Sequence, residues 1–284
     1  MTYQETEKFI SQELSAYVEQ GESYAITQRI LEFITGIDRN QKHKTEKISI
    51  DQAKLSQLKN ILERVKNEEP IQYILQEEWF CGFKFFVNKH VLIPRPETEE
   101  LVEWVISTCK FPIDSLSILD IGTGSGCIPI SLKRRLRKAQ VSAVDVSKDA
   151  LEVANRNATN LGADVNFIEA DILNSTCWST LPKVDIITSN PPYVTESEKG
   201  QMKNNVLNYE PALALFVPDA DPLIFYKAIS ALGKIILNKN GTIFLEINEA
   251  YGNETANVFI EAGYKTEIKK DMQGKERMIK AMLN

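Results

Sequence analysis

The stretch from Ser117 to Leu132, "SILDIGTGSGCIPISL", decides the fold. It opens on a short apolar run broken only by Asp120, passes through three glycines, and resumes as an apolar segment. That order predicts a buried strand, a tight turn and a helix, the first unit of a Rossmann-like α/β sheet. Gly122, Gly124 and Gly126 stand at alternate positions, with Thr123 and Ser125 between them. Glycine there lets a ligand approach the backbone where the helix begins. The dinucleotide fingerprint needs its third glycine at position 127, which is Cys127, so that fingerprint is absent. Asp120 directly precedes the glycines, where a carboxylate repels a pyrophosphate but suits a ligand carrying an ammonium group.

Toward the carboxyl end the same alternation continues. "QVSAVDVS", "DVNFIEAD", "VDIITSN" and "GTIFLEIN" read as strands separated by helices. This predicts a mostly parallel sheet with helices on both faces. The final "YKTEIKKDMQGKERMIKAML" reads as two strands joined by a "QGK" turn, which predicts an antiparallel edge. Between the fourth strand and the next helix lies "TESEKGQMKNNVLNYEPALALFVPDADP", a long loop expected to cover a substrate and to order on binding.

Toward the amino end the period is helical. "EKFISQELSAYVEQG" carries Phe9, Leu14, Tyr17 and Val18, and "SYAITQRILEFITGI" carries Ile26, Ile30, Leu31 and Ile34 before Gly36. "DQAKLSQLKNILERVKN" repeats Leu55, Leu58, Ile61, Leu62 and Val65 on one face, with Ser49 and Gln52 as its capping box. The lysine-rich "RNQKHKTEK" reads as a solvated loop. In "EEWFCGFKFFVN" Trp79, Phe83, Phe85 and Val87 alternate around Gly82 as a hairpin. "VLIPRPETEELVEWVI" then runs through prolines into a helix with Thr98 in its first turns. The expected organisation is a helical domain over 1–75, a hairpin linker over 76–96 and an α/β domain over 97–284.

Composition narrows the function classes. A hydrophobic fraction of 43% and a charged fraction of 25% are those of an ordinary soluble globular protein. A net charge of −6 argues against a broad nucleic-acid surface. No apolar run approaches the roughly 20 residues of a membrane span, and "MTYQETEKFISQ" has neither the basic nor the apolar region of a signal peptide. Four scattered cysteines without CxxC spacing and only two histidines argue against a zinc site or a disulfide framework. Reduced thiols in a cytoplasmic protein are the expectation.

The strand ends carry the chemistry. Asp145 ends the second strand, placed to accept from ribose hydroxyls. Asp171 follows the third strand, placed to accept from an adenine amino group, with the Ile172 backbone beside the ring. Each aspartate alone also fits a solvated strand end or a helix cap; it is their order at successive strand ends that points to a ligand. A ligand with ribose, no phosphate and a cationic amino-acid tail is S-adenosyl-L-methionine, which leaves as S-adenosyl-L-homocysteine.

The fourth strand ends in "NPPY", Asn190 to Tyr193. Two prolines cannot continue a ladder, so the segment lies just past the strand as stiff extended chain. A planar amide or aromatic amine is a poor nucleophile because its nitrogen lone pair is delocalised. Two acceptors gripping its N–H groups hold that nitrogen toward a methyl donor. The Asn190 side-chain oxygen and the Pro191 carbonyl are the candidate acceptors, Pro192 stiffens the segment, and Tyr193 offers a flat face.

This tetrapeptide resembles that of amino-group methyltransferases acting on glutamine, adenine or guanine nitrogen. "PIQYILQEEWFCGFKFFVNKHVLIPRPETEELVE" and "DMQGKERMIKAML" further resemble the glutamine N5-methyltransferases of peptide chain release factors, along nearly the whole chain. The resemblance implies a substrate-docking helical domain, an S-adenosylmethionine-dependent methyltransferase domain, and a role in translation termination with release factors as partners. It carries the cofactor site onto Gly122–Gly126, Asp145, Asp171 and Ile172, and the substrate motif onto Asn190–Tyr193. Arg95 in "IPRPETE" is a candidate for the rim of the site or a surface ion pair. Gln76 stands where the family has glycine after "YIL", and "EINEAYGNE" departs from its usual glycine-rich form. A nucleic-acid amino methyltransferase, and a non-catalytic S-adenosylmethionine-binding scaffold, are the alternatives; the acidic balance and "LIPRPETE" weigh against the first, the intact tetrapeptide against the second.

Overall fold

The computed structural model describes residues 1–37, 49–109 and 113–283, so the lysine-rich stretch 39–47 lies outside the described residues. The chain divides into two compact units, Met1–Gln76 with Asn204–Tyr209, and Glu77–Lys203 with Glu210–Asn284.

The smaller unit holds α1 (Tyr3–Leu14), α2 (Gln20–Thr35), α3 (Gln52–Lys66) and α4 (Ile71–Leu75). Thr2 and Glu5 form a reciprocal capping box at the start of α1. At α3 the cap is Asp51, accepting from the Lys54 amide, and not the expected Ser49, which instead bridges Thr2. Asp51 immediately precedes the helix, and a carboxylate in that position reaches the orphan amides that Ser49 cannot. Ile10, Leu14, Ile30, Leu31, Leu58 and Leu62 form the core; Tyr17 is exposed, with the Lys66 ammonium over its ring.

The α4 helix closes on Gln76, which adopts a left-handed conformation with φ 57°. This is the position where glycine is usual, and the reason is conformational: a Cβ costs about 1–2 kcal/mol there.

In the larger unit β1 (Glu77–Phe80) and β2 (Phe83–Phe86) form the hairpin, turned by Cys81 and Gly82, both at positive φ. Its buried side chains are Phe80 and Phe85, packed into the same core as Trp104 and Ile130, while Trp79 faces out. The hairpin is therefore part of this unit's core and not a separate linker. It is followed by α5 (Pro96–Thr108), β3 (Ser117–Ile121), α6 (Cys127–Arg135), β4 (Gln140–Asp145), α7 (Lys148–Leu161), β5 (Asn166–Glu169) and β6 (Val184–Ser189).

The stretch after β6 is not structureless. Its β7 (Val194–Thr195) pairs in parallel with β8 (Phe216–Val217), a 3-10 turn spans Glu196–Gln201, and α8 (Asn204–Tyr209) groups with the smaller unit. There the Tyr209 hydroxyl donates to the Asn67 carbonyl at 2.7 Å. Then come α9 (Ile224–Ile236), β9 (Leu237–Glu246), α10 (Gly252–Glu261), β10 (Tyr264–Lys270) and β11 (Glu276–Leu283).

Seven strands form one sheet in the order β10-β11-β9-β6-β3-β4-β5. All pairs from β9 to β5 are parallel, and the β10–β11 hairpin supplies the antiparallel edge, with β11 the reversed strand. Side chains alternate between faces as the pleat requires. Leu119, Ile187 and Leu245 join α9 and α10 on one face, and Ile118, Ile186 and Phe244 join α5 and α6 on the other. The chain leaves β3 for β4 and β5, then crosses to β6 on the opposite side of β3. That reversal opens a crevice at the carboxyl ends of β3 and β6. Substituting Gln76→Gly should stabilise the fold by about 1 kcal/mol, read as a raised midpoint in urea denaturation; an unchanged or lower midpoint would contradict the strain at this cap.

Candidate active site

The crevice is lined on one side by Gly122, Thr123, Gly124 and Ser125, and on the other by Asn190, Pro191 and Pro192. The register explains their meeting: Ile121 pairs with Ser189, so the glycine turn and Asn190 leave adjacent strands side by side. The Ser189 hydroxyl donates to the Ile121 carbonyl at 2.7 Å and locks the two ends together.

The three glycines answer to different constraints. Gly122 and Gly124 have φ of 68° and 53°, and a Cβ on either would meet no atom within 4 Å. Their surfaces are open for a ligand to lie against. Gly126 is a packing residue: a Cβ there would stand 2.8 Å from Ile130 Cδ1 and 3.1 Å from Ala154 Cβ. Asn157, from α7, steadies the turn from behind. Its amide donates to the carbonyls of Ser125 and Phe86, each at 2.9 Å, and accepts from the Phe86 amide at 2.7 Å. Sequence reasoning missed Asn157, because one polar residue on an apolar helix face has no local signature.

Asp145 lines the crevice. One oxygen accepts from the Gly124 amide at 2.8 Å and the other from the Ser147 amide at 2.9 Å. Each oxygen keeps a lone pair for a hydroxyl. Burial raises its pKa, against the pull of these amides. Asp171 and Ile172 also line the crevice, and the Asp171 carboxylate accepts from the Leu173 amide at 2.9 Å.

Asp120 does not stand on the crevice wall. It is fully buried beneath the glycine turn, bonded through Oδ1 to the Thr188 hydroxyl at 2.7 Å, with Oδ2 lacking a partner. Its strand position gives it the face of Ile118, where it stands beside its cross-strand partner Thr188. Burial pushes its pKa up to about 7.

Asn190 is held from its nitrogen. Nδ2 donates to the Thr98 hydroxyl at 3.1 Å, Thr98 donates to Glu246 Oε2 at 2.7 Å, and the Tyr193 hydroxyl donates to Glu246 Oε1 at 2.8 Å. Tyr193 thus points its ring toward the core, against the expectation of a face presented to substrate; the Glu246 carboxylate draws its hydroxyl inward. Burial and that carboxylate push the phenol pKa well above its ordinary value. The Tyr193 carbonyl is held by Asn248 Nδ2 at 3.1 Å. Thr98 was legible only as a helix residue, and Glu246 only as the end of a strand.

Arg95 lines the crevice and pairs with Glu210, whose side chain is 1% exposed; Glu210 also accepts from the Ile93 amide. The pair ties the proline-rich segment to the end of the loop, with its carboxylate buried and its guanidinium one-third exposed.

The acceptor set, the open glycine backbone and the absence of any phosphate fingerprint fit S-adenosylmethionine. The chain matches the models "Methyltransferase small domain" over residues 103–210 and "PrmC N-terminal domain" over residues 8–75. A "Release factor glutamine methyltransferase" of Flavobacterium psychrophilum is 44% identical over 272 residues, covering 95% of both chains. The chain belongs to the release factor glutamine methyltransferase family. Relatives with the same name from Bacteroides thetaiotaomicron and Bacillus subtilis are 42% and 36% identical, covering 96% and 95% of this chain and 97% and 95% of theirs. A methyltransferase from Pyrococcus furiosus, 18% identical, shares the fold with a TM-score of 0.51 over 78% of this chain and 98% of that one.

Two outcomes test this family site. Asp145→Ala should weaken S-adenosylmethionine binding by about 1.5–3 kcal/mol, the worth of a charge-assisted hydrogen bond, in calorimetry. Asp120 binds its proton more tightly folded than unfolded, so its contribution to stability is full below about pH 4 and is lost as pH rises through about 7. Relative to the parent, Asp120→Asn should therefore gain stability steadily between pH 4 and 7 in urea titrations. A parent-to-variant difference that stays constant over that range would refute the raised pKa.

Proposed function

We propose that this chain transfers a methyl group from S-adenosylmethionine to the side-chain amide nitrogen of a glutamine in a peptide chain release factor, and so acts on translation termination. The observation that carries this reading is the direction of the Asn190 amide. Its NH2 group is committed to Thr98, so its Oδ1 is the atom left to accept from a substrate N–H. Bound S-adenosylmethionine supplies an electrophilic methyl carried on a sulfonium.

The chain's own residues supply position. Asn190 Oδ1 and the Pro191 carbonyl each accept one N–H of the glutamine amide, which turns its nitrogen to face the methyl and favours the geometry in which the lone pair is available. Pro191 and Pro192 fix the direction of that carbonyl because their φ angles are locked. Holding two reactants in this way supplies roughly 7–11 kcal/mol of the barrier. The methylated nitrogen is strongly acidic and loses its extra proton to water, so no dedicated base is required. Asp145 accepts from the ribose hydroxyls, Asp171 and Ile172 bound the adenine, and Gly122–Gly126, with Thr123 and Ser125, carry the amino-acid end above Asp120. Arg95 shapes the rim, and residues 1–75 dock the protein substrate.

A base amino group in nucleic acid offers the same pair of N–H donors; the names of the near-full-length relatives and the net charge of −6 favour protein glutamine. Asn190→Ala should lower kcat by about a hundredfold or more while retaining cofactor affinity, the scale seen when one preorganised polar contact is removed. A release factor with glutamic acid in place of the glutamine should accept no methyl, because it offers no amide nitrogen. Mass spectrometry of the digested release factor locates the product: methyl on any residue other than glutamine, or undiminished turnover in Asn190→Ala, would sink the reading.

A further inference from the structure

Four side chains from three parts of the larger unit form one hydrogen-bonded line, buried at Thr98 and Glu246 and half-buried at Asn190 and Tyr193. Asn190 and Tyr193 come from the two ends of the "NPPY" segment, Thr98 from the first turn of α5, and Glu246 from the last position of β9. Thr98 and Glu246 are each 2% exposed. Neither lies in the tetrapeptide; Thr98 lines the crevice beside Asn190, whereas Glu246 is absent from its wall.

The polarity of this line is not free. Burial works against the charge on Glu246, while Thr98, Tyr193 and the field of Arg277 favour it; in the charged form the carboxylate has only acceptor atoms, so each neighbour must give it a proton. Thr98 has one hydroxyl proton and spends it on Glu246. The side of Thr98 that faces Asn190 is then a lone pair, and only the NH2 end of the amide can meet it. An amide turned the other way would set its oxygen against that lone pair, two acceptors without a proton between them inside the protein. Burial makes such a mismatch costly. The other carboxylate oxygen takes the Tyr193 hydroxyl, so one group fixes both ends of the segment.

We propose that Glu246 and Thr98 are positioning residues for methyl transfer: by accepting the Thr98 proton, Glu246 sets the direction of the Asn190 amide and leaves Oδ1 as the acceptor facing the substrate. The inference rests on the reading of Asn190 as a substrate acceptor. It adds that the choice between the two ends of the amide is made by a carboxylate that touches neither substrate nor cofactor.

The test measures kcat, the KM for release factor and the Kd for S-adenosylmethionine on the full chain. Thr98→Val keeps the shape and removes the relay; kcat should fall tenfold or more, with cofactor Kd within about twofold. Thr98→Ser restores the hydroxyl and should recover most of the lost kcat. Glu246→Gln replaces the obligatory acceptor with an amide able to present either end, and should lower kcat in the same way. The double variant Thr98→Val with Asn190→Ala should be no slower than Asn190→Ala alone, because the relay acts only through that amide. The inference is overturned by a parental kcat in Thr98→Val, by losses that multiply in the double variant, or by a loss of cofactor affinity matching the loss of kcat, which would mark a structural role. Its failure is separable from that of the parent reading. Unimpaired Asn190→Ala removes the substrate acceptor itself, whereas an impaired Asn190→Ala beside unimpaired Thr98→Val and Glu246→Gln removes only the relay.

Discussion

Glu246 ends the interior strand β9 inside the protein, and a carboxylate there costs several kcal/mol unless its oxygens are met by donors. Burial raises its pKa, while Thr98, Tyr193 and the field of Arg277 favour the charged form. Those donors are not interchangeable surface groups. They bring the start of α5 and the segment after β6 to one point, so the arrangement of the "NPPY" segment follows from satisfying one buried carboxylate. Asn248, two residues on, extends the same logic by holding the Tyr193 carbonyl.

The crevice itself comes from topology. Where the strand order reverses around β3, the glycine turn and the proline segment face one open space. The walls are stiffened by groups outside it. Asn157 joins the hairpin to the glycine turn with three hydrogen bonds, and Glu210 joins the proline-rich segment through both Arg95 and the Ile93 amide. A site that works by holding two partners in register needs such support more than it needs reactive side chains. Within the turn the positive φ values fall on Gly122, Gly124 and Gly126, where glycine adopts them without strain, and of these three only Gly126 is also demanded by packing.

Much of this was legible in the residues because its causes are local. Strand–glycine–helix order, the period change at the hairpin and the aspartates at strand ends depend on neighbours a few positions away, and the structure carries each of them. Two local readings failed where a nearer or better-placed group competed: Asp51 displaced Ser49 as the α3 cap, and Phe80 displaced Trp79 in the hairpin core. The stretch after β6 contains short turns and a two-residue strand pair whose partners lie over twenty positions apart, beyond any local period.

The sequence by itself determined the α/β architecture, the antiparallel edge, the glycine turn and the tetrapeptide, since each is written in spacing and residue type. Tertiary structure alone decided how those pieces act on one another. It sank Asp120 beneath the turn, drew Tyr193 inward, and set Thr98 and Glu246 behind Asn190. The physical reason is that the direction of an amide or a phenol is fixed by the donors and acceptors around it, and Thr98, Asn190 and Glu246 are brought together across intervals of 92 and 148 residues.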